Sequence, residues 1–148
     1  MSTEKNKTLA RRWFAEFNRG NLAAADEIYA PTYVLHDPAS PPDLVPGPAG
    51  VKQFLSSMLL AFPDAQGTIE DMISEGDKVV FRYTLRGVHQ GEFKGMAATG
   101  KPFMISGISI LRFAGGQIAE EWEIFDTLGL LQQLGAVPAM GRATGEPS

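Results

Sequence analysis

Cysteine is missing from all 148 residues, and that absence excludes disulfides, thiolate chemistry and Cys-based zinc sites together while fitting a reducing compartment. Histidine is scarce: His36 and His89 lie too far apart in sequence to suggest a ligand set, so neither a metal nor a cofactor is expected. Basic residues are outnumbered, 13 Lys and Arg against 17 Asp and Glu, for a formal charge of −4. With no basic run and no basic aromatic stripe, a nucleic-acid backbone has no electrostatic footprint to engage. No apolar run approaches the roughly 20 residues of a membrane span. The start, Met1 to Lys5, lacks the basic-then-apolar order of a signal peptide, which predicts a cytoplasmic chain with no membrane partner. What is present, 44% hydrophobic and 20% charged residues, suits one domain with a sizeable core. That domain is expected over residues 1–137, followed by a flexible tail from Pro138 to Ser148 that carries Gly141, Gly145 and Pro147.

The first half of the chain has helical periodicity. Leu9, Trp13, Phe14 and Phe17 recur at helical spacing between Thr3 and Asn18, with Ser2 or Thr3 to cap the start and Gly20 beyond the end. A short second helix is expected from Leu22 to Tyr29, stopped before Pro31, and a short strand from Tyr33 to Asp37. Five prolines between Pro38 and Pro48 make a stiff connection, which reads either as a lid or rim beside a site or as a plain link. Gly50 to Phe62 predicts a third helix whose wide apolar stripe includes Phe54 and Met58; these two suit the core or the wall of a ligand pocket. The period then changes to two. Strands are expected at Thr68–Ser74, Lys78–His89, Lys101–Phe113 and Gln117–Asp126, with turns at Gly76-Asp77 and Ala114-Gly115-Gly116. Helices first and hairpins afterwards indicate an α+β domain with a curved antiparallel sheet.

The last strand carries the most chemistry. Strict alternation puts Ile118, Glu120, Trp122, Ile124 and Asp126 on one face and Ala119, Glu121, Glu123 and Phe125 on the other. Asp126 then closes a mostly apolar face. It is either a carboxyl at the mouth of an apolar enclosure, where desolvation suits it to proton transfer, or the cap of a helix begun by Leu128-Gly129-Leu130-Leu131.

Several stretches resemble the SnoaL-like polyketide cyclases, also called ester cyclases: residues 50–54, 61–64, 75–80, 87–93, 99–101 and 122–135, within a span from about Leu9 to Gly135. The resemblance implies the cone-shaped fold of nuclear transport factor 2, a curved sheet wrapped around three N-terminal helices with an apolar pocket between. It also implies cofactor-free acid/base chemistry on a small polyketide-like carbonyl compound, by intramolecular aldol cyclisation or a related isomerase or lyase step. The acid/base residue of that family matches Asp126, and Trp122 is then expected as a pocket wall. Arg112 stands where the cyclases have His, and being permanently protonated it can polarise or hold an oxygen but not act as a base. A three-residue turn with a bulge puts Arg112 on the Trp122 face, and a two-residue turn puts Ser109 there. In limonene epoxide hydrolase, which shares the fold, an Arg and two Asp activate water; Arg82 and Asp126 match two of the three, and Thr84 takes the place of the second Asp. His36, with an ordinary pKa near 6.5, is a candidate proton shuttle or a hydrogen-bonded structural residue, and His89 reads as structural. A binding or carrier protein using the same pocket is the alternative function. A homodimer or higher oligomer is expected to cover the outer sheet face through Phe125, Val80 or Val88.

Overall fold

Ala10, Trp13 and Phe17 are buried along one stripe of helix α1 (Thr3–Asn18), and Phe14 beside them meets Phe81 edge-on at 5.2 Å. The computed structural model describes residues 3–138; the tail from residue 139 onward, and Ser2 as a possible cap, lie outside the described residues. The expected second helix is a 3-10 turn at Leu22–Ala24 running into α2 (Ala25–Ile28). Strand β1 (Tyr29–His36) starts four residues before its expected beginning. Pro31 does not prevent this because β1 lies at a sheet edge, where a missing N–H is tolerated. Helix α3 (Pro48–Ala61) opens with Pro48 in its first turn, a position whose N–H would have no helical partner anyway.

Four strands follow: β2 (Gln66–Glu75), β3 (Lys78–Val88), β4 (Pro102–Ala114) and β5 (Gln117–Phe125), then helix α4 (Thr127–Gln133). The five-stranded sheet has the order β1-β5-β4-β3-β2 and is curved and unclosed. Pairings among β2, β3, β4 and β5 are antiparallel, whereas β1 pairs with β5 in parallel. The antiparallel sheet expected from the hairpins thus gains a parallel strand at one edge, where β1 lies beside β5. Between β3 and β4, residues 89–101 fold back over the end of α3, with the Gln90 and Gly91 amides donating to the Ala61 carbonyl. His89 is fully buried there and accepts from the Thr99 amide at Nδ1 (3.2 Å), which gives it a structural place between two loop segments.

The β4–β5 hairpin decides which side chains face inward. Gly115 and Gly116 (φ +58° and +80°) make the two-residue turn, and Ala114 pairs with Gln117. Farther along, Arg112 opposes Glu120 while Phe113 opposes Ile118, so Ala119 is an extra residue in β5. This bulge reverses the alternation. Ile118 points into the core, fully buried, whereas Glu120, Trp122 and Ile124 point outward and Glu121, Glu123 and Phe125 point to the helices. The two readings of the hairpin thus each hold a part: Arg112 does share a face with Trp122, and Ser109 is the one that faces the interior.

Candidate functional site: an acidic cluster in an aromatic cavity

A cavity of about 110 Å³ lies between the concave sheet face and helices α1 and α3. Trp13 and Phe17 from α1, Phe54 and Met58 from α3, Tyr33 from β1 and Phe125 from β5 make much of its apolar wall, and Leu44 of the prolyl segment closes one side. Phe54 and Met58 line the cavity because α3 turns the same stripe toward the sheet that packs the helix. Its polar groups come from four neighbouring strands, β1, β5, β4 and β3. Ser109 and Glu123 sit directly opposite in the β4–β5 ladder, Phe81 is opposite Ser109, and Tyr83 is one step along from Phe81 on the same face.

These groups form two hydrogen-bonded units. Glu121 accepts from the Tyr33 hydroxyl at 2.7 Å on one oxygen and from Ser109 Oγ at 2.9 Å on the other. Glu123 accepts from the Tyr83 hydroxyl and lies against Asp37, the residue just beyond β1. Asp37 is 9% exposed; its Oδ1 accepts from the Ala39 amide at 2.8 Å, and its buried Oδ2 meets no donor. Burial pushes the Glu123 carboxyl well above the ordinary carboxylate range, reinforced by the nearby Glu121 charge. Burial also raises Asp37 and Glu121, in each case opposed by the hydrogen bonds those carboxylates accept. Tyr33 and Tyr83 are raised for the same reason, burial first and then adjacent carboxylates, so both hydroxyls keep their protons. No Lys, Arg or His is among the lining residues. Asp37 and Glu123 are two neighbouring acids whose burial disfavours ionisation of both, although the Lys94 charge acts the other way on Asp37.

The residues expected from sequence to meet in a pocket are largely elsewhere. Asp126 is exposed; its Oδ1 accepts from the Gly129 amide at 2.8 Å, and it is the N-cap of α4. The capping alternative is therefore the one its geometry shows, and the expected enclosure of its carboxyl is corrected. Trp122 is on the convex face, stacked on His36 with ring centroids 5.3 Å apart, because the bulge turned its parity outward. His36 bonds Glu120 at 2.7 Å, and Glu120 also accepts from Arg112 Nε at 3.1 Å. Those contacts hold the Glu120 carboxyl below its ordinary range. Arg82 sits 3.8 Å from Asp71, and Thr84 donates to Glu70 at 2.8 Å, both on the same outer face. Arg82, Thr84, Arg112, His36 and Trp122 are thus separated from the cavity by the thickness of the sheet. Sequence reading missed Asp37, Glu121, Glu123, Tyr33 and Tyr83; the one available signal was that Glu121 and Glu123 share a face with Phe125.

Among the described residues no group of three or more His, Asp or Glu side chains is arranged to hold a metal ion, and no helix is long and apolar enough to cross a membrane.

Comparison with known proteins agrees with this architecture. The family model described as SnoaL-like polyketide cyclase matches residues 8–134. Among solved structures, the chain is similar to TsrD from Streptomyces laurentii, with 29% identity, TM-score 0.83, and 93% of this chain and 99% of that one covered. It is similar to a candidate polyketide cyclase from Acidithiobacillus ferrooxidans, with 34% identity, TM-score 0.81, and 92% and 99% covered. It is also similar to AclR, a candidate hydroxylase from Streptomyces galilaeus, with 29% identity, TM-score 0.83, and 95% and 87% covered. No curated protein matches the sequence.

Proposed function

Because this chain belongs to the SnoaL-like polyketide cyclase family, we propose that its cavity performs acid/base chemistry on a small carbonyl compound without help from a cofactor, with Asp37 and Glu123 as the proton-handling pair. The observation that carries this reading is that the Glu123 carboxyl lines an apolar cavity with the Asp37 carboxyl lying against it from beyond β1. A pair holding one proton and one negative charge can accept and donate in the same step. The ionised member removes a proton from carbon between two carbonyls; the resulting enolate attacks a second carbonyl carbon, forming the C–C bond; the protonated member delivers a proton to the oxygen that becomes hydroxyl. One proton leaves and one returns, so no oxidant or reductant is needed. Tyr83 steadies charge on Glu123, and Glu121 is fixed by two donors as the neighbouring acceptor. The cavity is of the order of the ~150 Å³ voids that hold a benzene ring, so it takes a fragment of about one ring unless α3 and the prolyl segment move aside.

Exchange of the acidic C–H of an aryl 1,3-dicarbonyl ester in deuterated water, followed by proton NMR, tests this without knowledge of the natural substrate. The wild-type protein is expected to accelerate exchange, and Glu123→Gln or Asp37→Asn to reduce that acceleration by about 10²- to 10⁴-fold. Asp126→Asn is expected to stay within a few-fold of wild type. No acceleration over buffer, or acceleration indifferent to Glu123, removes the proposal.

Assembly belongs to the same reading. Met104, Ile108, Trp122 and Ile124 are exposed together on the convex face, Ile124 at 68%. Contiguous apolar surface of that kind marks an interface, and a second copy of this chain is the occupant that makes such a face self-complementary. Of the candidates read from sequence, Phe125 faces the cavity, whereas Val80 and Val88 alternate with the inward Val79, Phe81, Tyr83 and Leu85 and so share this convex face. Sedimentation velocity at micromolar concentration is expected to give a dimer or larger species and Ile124→Glu a monomer; a wild-type monomer refutes it.

A further inference from the structure

The polar groups facing the cavity have spent their protons on one another. Tyr33 and Ser109 both donate to Glu121, and Tyr83 donates to Glu123. A hydroxyl has one proton to give and two lone pairs to offer. What these three hydroxyls and two carboxylates present to an incoming molecule is therefore almost entirely acceptor. A second observation points the same way. Asp37 Oδ2 is buried and meets no donor among the described residues, and its carboxyl is turned to Glu123, another acid. Satisfying that oxygen takes either the shared proton or a donor brought in from outside. The walls around this floor are aromatic, with Trp13, Phe17, Tyr33, Phe54, Tyr83 and Phe125 among them. Ring faces attract cations, and more so when water is excluded.

We propose that the molecule this cavity is built to receive carries a basic nitrogen, seated as an ammonium against Glu123 and Glu121 with its carbon body between the rings. This rests on the reading of the cavity as the functional site, and it adds to the carbonyl chemistry a requirement on the substrate. A neutral ester or ketone offers acceptors to a site full of acceptors and finds one donor, the proton shared by Asp37 and Glu123. An ammonium offers up to three donors and neutralises the cluster at the same time. Its positive charge sits beside the ionised carboxyl, while the proton shared by Asp37 and Glu123 stays available to the carbonyl chemistry. A carboxylate-bearing molecule meets like charge and is excluded.

Trp13 is one of two tryptophans in the chain, and the other is on the convex face, so a Trp122→Phe background makes Trp13 fluorescence report occupancy of the cavity. Benzylamine, benzyl alcohol, acetophenone and benzoate are titrated in that background at neutral pH. Benzylamine is expected to bind roughly 10- to 100-fold more tightly than benzyl alcohol or acetophenone, the range of a charge-assisted hydrogen bond, and benzoate not to bind. Glu123→Gln is expected to remove that preference. Equal or tighter binding of the neutral probes overturns the proposal. So does a benzylamine preference that survives Glu123→Gln unchanged, which means attachment to the acidic surface elsewhere, or an absence of quenching by every probe. The exchange assay is independent of this series: accelerated exchange with no amine preference sinks the nitrogen requirement alone, and an amine preference without exchange sinks the carbonyl chemistry alone.

Discussion

Asp126 and Glu123 are three residues apart and do opposite jobs, and the difference is environment rather than chemistry. The Asp126 carboxylate is exposed and accepts from a helical amide, with Gly129 leaving room for it: a Cβ there would crowd the carboxylate. Asp126→Ala is expected to lower stability by about 0.5–2 kcal/mol, the ordinary loss of a helix cap, measured by urea denaturation. Glu123 has no such freedom. Its raised pKa means that the folded state binds a proton more tightly than the unfolded chain, so the associated stability is complete below the unfolded value of about 4.3 and declines as pH rises through the folded value. Glu123→Gln, which keeps the shape and cannot ionise, is expected to flatten that decline and to be more stable than wild type at pH 8 in thermal melts. A steeper decline in the variant contradicts the buried-acid account. Glu120 works in the other sense: its lowered pKa contributes stability above the unfolded value that is lost as pH falls through the folded one.

At the level of elements, β4 and β5 determine what the cavity contains. Gly107 sits mid-strand opposite both Tyr83 and Phe125, where a glycine ordinarily weakens a strand. Its lack of a side chain is what lets Tyr83 lean across to Glu123, since an added Cβ would lie 2.8 Å from Tyr83 Cε1. Gly107→Ala is expected to cost about 1–3 kcal/mol by overpacking and to break the Tyr83–Glu123 bond, seen as a changed Tyr83 ring environment in NMR. The same hairpin shows how far the sequence could be read. Helix α1 was legible to the residue because Trp13, Phe14 and Phe17 keep strict helical spacing, and the turn at Gly76-Asp77 was legible from its composition. The inward face of β5 was not. Period-two reasoning holds only while the ladder is regular, and nothing in Gln117-Ile118-Ala119-Glu120 announces that Ala119 is an extra residue. Once it is, Trp122 and Ile124, the residues that looked most like core, are outside, and two glutamates are inside. Asp37 was unreadable for another reason: a residue just past an edge strand acquires a role only from the partner strand, and the parallel pairing of β1 with β5 is a tertiary fact.

For the molecule as a whole, the sheet separates two chemically different halves. Its concave side is aromatic, acidic and enclosed, while its convex side carries the open ion pairs Arg82–Asp71 and Arg112–Glu120 around exposed aliphatic residues. Salt should act on the two sides differently. Pairs in water are screened within about 10 Å at 0.1 M, whereas buried groups are screened much less. Raising ionic strength is therefore expected to leave the exchange activity of the cavity nearly constant while strengthening the apolar association of convex faces, which light scattering would register.

Tyr33 and Glu121, whose bond closes one wall of the cluster, are 88 residues apart in the chain. A polypeptide made from its N-terminus therefore produces the acids of β5 after both helices that cover them and after Tyr33, Tyr83 and Ser109, so every hydroxyl that quiets those carboxyls precedes them along the chain.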